Sequence, residues 1–139
     1  MIAAGQRLPI LIATRPVDFR CGHQALALIV QTELKLDPHS GVTVVFRSKR
    51  GDRLKILVWD GTGMVMIYKV LEQGSFAWVK TGPEGIDPSS GRIEGMNARS
   101  AGVQDGVMRL SRAQFEALFE GLDWRRVMAQ RVLAPTAAG

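Results

Sequence analysis

The sequence predicts an α+β fold: a small antiparallel β-sheet, built as a meander, with one long helix near the N-terminus and one short helix near the C-terminus. Three observations lead there. Apolar residues recur at spacings of three and four from Phe19 to Leu34 and again from Phe115 to Leu122, the period of a helix. Between these stretches lie short β-branched or alternating runs separated by Gly, Asp and Ser, the pattern of neighbouring antiparallel strands. The chain has 139 residues, 46% hydrophobic and 22% charged, enough for one modest core.

Taken in order, Leu8 to Ala13 reads as a first strand, with Pro9 suited to its start or to a sheet edge because it has no amide to donate. A helix is expected from about Asp18, whose carboxylate suits an N-cap. Its apolar stripe runs through Phe19, Gly22, Leu26, Ile29, Val30 and Leu34, and Asp37-Pro38 ends it. Val42 to Phe46 is the next strand, followed by a polar loop from Arg47 to Arg53. Leu54 to Trp59 alternates Leu54, Ile56 and Val58 on one face with Lys55, Leu57 and Trp59 on the other. Asp60 to Gly63 forms a turn, Met64 to Leu71 a strand, and Gly74-Ser75 a second turn before a last strand, Phe76 to Val79.

Residues 1–127 are read as a single α+β domain. Thr81 to Gly106 is rich in Gly, Pro and Ser and reads as a mobile loop. Within it, Gly91 to Met96 is similar to an engineered protease-site linker, but Met96 stands where such a site needs arginine, which favours a natural insertion. Ser111 and Gln114 have the spacing of a capping box, Leu110 and Phe115 that of the accompanying hydrophobic staple. Gly121 suits the C-terminal cap of that short helix. Residues 128–139 read as a flexible tail.

A formal charge of +5 with a pI near 10 points toward polyanions only if the cations cluster. They do so at Arg47, Lys49, Arg50, Arg53 and Lys55, opposed only by Asp52. Trp59 and Tyr68 lie nearby and are able to stack on unpaired bases, although packing of Trp59 in the sheet is the simpler role. A solvated hairpin tip is an equally good account of the cluster. Arg125 and Arg126, beside Trp124, form a second basic element. Asp18, Asp60 and Asp123 are the carboxylates available for a metal-dependent phosphoryl transfer, but cap and turn positions account for each of them. Cys21, His23 and His39 lack zinc-ligand spacing, and Gly61 and Gly63 lack the third glycine of a dinucleotide loop. No catalytic residue, metal or cofactor is therefore assigned. The single cysteine excludes an intrachain disulfide and agrees with a cytoplasmic location. The longest apolar run, Ala25 to Val30, is too short to cross a bilayer, and no signal peptide is evident.

In order and spacing these segments resemble the TnpB-type accessory proteins of the insertion sequence 66 family of bacterial transposable elements. The resemblance rests on Val17-Asp18-Phe19-Arg20 with Gly22, Asp37-Pro38, Val45-Phe46-Arg47, Asp52 to Leu57, Trp59 to Gly63, Phe76 with Trp78, and Gly121 to Arg125. It extends from about Leu8 to Arg125. Cys21 stands where the family usually has lysine, Val79 where proline commonly follows the tryptophan, and the 81–106 segment is longer than usual. The resemblance implies a helper encoded beside a larger transposase that carries the catalytic site.

The functional expectation is a non-catalytic accessory protein of DNA transposition that binds DNA, its partner transposase, or both. The nucleic-acid-binding candidates are Arg47, Lys49, Arg50, Arg53, Lys55, Arg125 and Arg126. If the five loop side chains all engaged phosphates, log affinity against log salt would have a slope of about −4 to −5. The alternatives are a protein–protein adaptor acting through an outward Leu57 and Trp59 or through the Trp124 region, and a metal-dependent enzyme. Self-association stays open.

Overall fold

A computed structural model describes residues 8–79, 103–104 and 106–127. In it a mixed sheet runs β4-β3-β2-β1-β6-β5. The strands are β1 (Ile10–Ala13), β2 (Thr43–Arg47), β3 (Arg53–Trp59), β4 (Met64–Val70), the two-residue β5 (Val103–Gln104) and β6 (Val107–Leu110). Helix α1 (His23–Thr32) connects β1 to β2, and α2 (Arg112–Phe119) follows β6, with a short 3-10 turn at Trp124–Arg126.

The α+β class is observed, and β2, β3 and β4 form the expected meander. The sheet as a whole is mixed, because β1 pairs parallel with β2 and antiparallel with β6. A strand, a helix and a second strand in succession place the two strands parallel when the helix crosses over the sheet. Helix α1 covers one face of β2, and Phe76, Trp78 and Trp124 belong to the core on the other, so Thr43 to Phe46 are all buried and the strand does not alternate apolar with polar.

Strand alternation divides the core in two. Leu11, Ala13, Val44, Phe46 and Leu57 point toward Leu26, Val30 and Leu34 of the α1 layer. Ile12, Val45, Leu54 and Ile56 point the other way and pack with Phe76, Trp78, Leu110, Leu118 and Trp124. Leu57 is therefore buried and not outward, and so is the Trp124 ring, whereas Trp59 is half-buried and Leu122 exposed.

Helix α1 has 10 residues and is not the long helix expected. Asp18 does not cap it: its carboxylate accepts from the Arg20 amide at 2.9 Å and from the Arg20 guanidinium, leaving Gly22 as the N-cap. At the other end Lys35 adopts φ +59°, so the chain turns off before Asp37-Pro38. Phe76 to Val79 is not a strand either. Phe76 and Trp78 are buried, but their segment crosses the sheet face and is held by separate bonds, Phe76 N–H to the Gly51 carbonyl at 2.7 Å and Trp78 Nε1 to the Ala13 carbonyl at 3.1 Å.

The α2 signals are realised in full. Ser111 Oγ accepts from the Gln114 amide at 3.1 Å, and the Gln114 side chain accepts from the Ser111 amide at 2.9 Å. Gly121, at φ +83°, and Leu122 donate to the Leu118 and Ala117 carbonyls, closing the helix with a Schellman motif. Ser111→Ala is expected to cost about 1 kcal/mol, seen as a lower urea midpoint with an unchanged m-value. Most of the 81–106 segment and the 128–139 tail lie outside the described residues, although β5 falls within the former. Among the described residues no helix is long and apolar enough to cross a membrane.

Candidate nucleic-acid interface

The basic loop joins β2 to β3, and its backbone is pinned from several directions. Ser48 is buried, and its Oγ accepts from the Gly51 amide at 3.2 Å and the Arg53 amide at 3.3 Å. Gly51 takes φ +84°, so the turn favours glycine, and a Cβ there would sit 2.3 Å from Arg47 Nη2 and displace that guanidinium. Outside the loop, Val17 N–H donates to the Arg47 carbonyl at 3.1 Å and Leu71 N–H to the Asp52 carbonyl at 2.8 Å. The loop is thus a fixed platform for the side chains it carries.

Those side chains separate into two groups. Lys49 and Arg50 are exposed. Arg53 is half-exposed, donates to the Tyr68 hydroxyl at 2.6 Å and lies 3.8 Å from the Asp52 carboxylate. Arg47 folds inward: its guanidinium lies 5.8 Å from the Trp78 ring centroid, and burial draws its pKa down. Lys55 is only 6% exposed, and its ammonium donates to the Phe19 carbonyl at 2.9 Å and the Cys21 carbonyl at 2.8 Å. It ties the segment before α1 to the sheet. Lys55→Met is expected to lower stability by about 1.5–3 kcal/mol, because two carbonyls lose a charged donor. A urea titration measures that loss.

One cation absent from the expected set joins the exposed group. Arg20 side-chain exposure is 92%, and Arg20 lines a groove of about 300 Å³ with Lys49, Arg50, Arg53, Asp18, Phe19 and Ser48. The parallel bridge between Val17 and Ser48 brings this distant segment beside the loop. The only hint in the sequence is the Asp18-Phe19-Arg20 motif, which carries no information about its spatial neighbour. Arg125 and Arg126 do not line the groove. Arg125 pairs with Asp123 at 2.8 Å and donates to the Trp78 carbonyl at 3.2 Å, whereas Arg126 is exposed. They follow Trp124, which packs on the sheet face opposite α1. Trp59 is half-buried, edge-on to His39 at 5.0 Å.

The three candidate carboxylates each have a local partner. Asp18 bonds Arg20, Asp60 accepts from the Thr62 and Gly63 amides at 2.9 Å, and Asp123 bonds Arg125. Among the described residues no three His, Cys, Asp or Glu side chains come close enough to hold a metal ion. These hydrogen bonds hold all three carboxyls below the usual carboxylate range. Groups with a depressed folded-state pKa stabilise the fold above the unfolded-state value, and that stability is lost as pH falls through the folded one. The melting temperature is therefore expected to drop as pH falls below about 4. A rise on acidification would contradict these pairings.

Fold and surface together define a small basic α+β protein in which four exposed cations, Arg20, Lys49, Arg50 and Arg53, line one groove. The chain belongs to the IS66 Orf2-like protein family, which it matches over residues 8–88 and whose members are accessory proteins of insertion-sequence transposition. It is similar to the uncharacterized protein y4jC of Sinorhizobium fredii, 39% identical over 136 residues, covering 98% of this chain and 97% of that one. It is also similar to the uncharacterized protein y4hO of the same organism, 35% identical over 139 residues and 100% of both chains. The motif from Leu110 to Arg125 lies beyond the family match, but the alignments with both relatives span nearly the whole chain. No solved structure matches the chain.

Proposed function

We propose that this accessory protein acts in the cytoplasm by binding DNA of its element, free or held by the partner transposase, through phosphate contacts from Arg20, Lys49, Arg50 and Arg53. The observation that supports this most is the rigid loop with its groove. The loop backbone is hydrogen-bonded on both sides, and its exposed cations share a groove with Arg20. Cations presented on a fixed backbone meet a phosphate chain with little ordering cost. The inward Arg47 and Lys55 leave fewer contacts than a count along the chain suggests, so the expected slope of log affinity against log salt is about −3 to −4.

A gel shift of the purified chain on element-end DNA, run beside a transposase pull-down from nuclease-treated lysate, tests the reading. The expected result is a shift without transposase that Lys49→Ala/Arg50→Ala weakens. Co-purification with transposase in the absence of any DNA shift would replace it with a protein–protein adaptor.

A further inference from the structure

The face of β4 beside the cationic groove carries a feature that phosphate binding does not use. Met66, Tyr68 and Val70 alternate along β4 and so project from one face, where they are 37%, 45% and 43% exposed. By strand register this face also holds Arg53 opposite Val70 and Lys55 opposite Tyr68. The Tyr68 ring is held on several sides. Phe19 tilts against it at 6.1 Å, the Lys55 ammonium lies 5.4 Å from its centroid, and its hydroxyl accepts from Arg53. Phe19 and Arg53 both line the groove, so the aromatic ring and the cations form one continuous surface.

We propose that this surface prefers single-stranded to double-stranded DNA, with Tyr68 as the ring on which an unpaired base stacks. The inference rests on the DNA reading above and names the form of DNA. A duplex keeps its base faces inside the stack, so cations alone meet either form, whereas an exposed ring gains only from an unpaired base. A ring held in place by its neighbours also loses little freedom when a base covers it. Met66 and Val70 extend the apolar strip on either side of Tyr68. Among the described residues β4 is an edge strand, and the other occupant of such an edge is a second copy of the chain. The charges favour DNA: the groove beside the strip is lined by Arg20, Lys49, Arg50 and Arg53 against Asp18 and Asp52, a net positive surface on a chain of net charge +5, so two copies paired there would bring like charge together.

Fluorescence anisotropy of the full chain with a labelled oligothymidylate and with a duplex of equal length, at one salt concentration, tests this. The single strand is expected to bind roughly 10-fold tighter, and Tyr68→Ala to lose roughly 10-fold on the single strand while duplex affinity changes less than about twofold. Tyr68→Phe keeps the ring and is expected to retain the preference. If Tyr68→Ala fails to fold, Tyr68→Leu keeps apolar bulk without the π-face, and the same loss is expected. Equal affinity for both forms overturns the proposal while leaving DNA binding intact. So does a folded Tyr68→Ala chain with unchanged preference, or a dimer that this variant dissolves with no change in preference. Binding of neither form overturns the DNA reading itself.

Discussion

Trp124→Ala is expected to destabilise the fold by about 3–5 kcal/mol, the usual cost of emptying a buried tryptophan site. Trp124 is 1% exposed and packs in the core layer formed by Ile12, Val45, Leu54 and Ile56. Its Nε1 donates to the Ala77 carbonyl at 2.7 Å, so truncation leaves that acceptor without its donor as well as a cavity. The indole also orders the Phe76–Val79 segment, which has no strand ladder to hold it. Since domains of this size have about 5–15 kcal/mol in all, the variant is expected to lose roughly a fifth or more of its stability. Urea unfolding followed by circular dichroism measures this. A loss under about 1 kcal/mol would mean that the C-terminal turn is not part of the core.

The second large effect falls on binding. Lys49→Ala/Arg50→Ala is expected to weaken DNA affinity roughly 10- to 30-fold near 0.15 M salt, because two phosphate contacts and their counterion release are removed. Stability is expected to change by no more than about 0.5 kcal/mol, since both side chains are exposed and the loop is held by its backbone. Lys55→Met supplies the opposite pattern: a clear stability loss with DNA affinity largely kept. The pair of variants separates cations that face solvent from the one that faces carbonyl groups.

The features legible in the sequence are those set by local chemistry. The β3–β4 hairpin follows from alternation and from the Asp60–Gly63 turn, and the α2 cap from Ser111 with Gln114. What was not legible depends on partners distant along the chain. The parallel pairing of β1 with β2 is decided by where α1 crosses, and nothing within either strand encodes it. Asp18 has the right side chain for a cap, but the competing bond to Arg20 moves the helix start to Gly22. Phe76 to Val79 has strand-like residues that pack singly on the sheet instead of joining its ladder. The basic cluster was visible as composition only. Strand alternation puts Arg53 and Lys55 on the same face, yet Phe19 lies over the Lys55 ammonium and leaves Arg53 half-exposed. Arg20 enters the groove from a segment whose neighbour is apparent only in the folded chain.

The central claim is that a few fixed cations lining one groove engage phosphates. Its most direct test is the slope of log affinity against log salt for element-end DNA, measured from about 50 to 200 mM for the unaltered chain and for Lys49→Ala/Arg50→Ala. The predicted slopes are about −3 to −4 and about −1.5 to −2. A flat dependence, or parallel lines for the two proteins, would contradict the account.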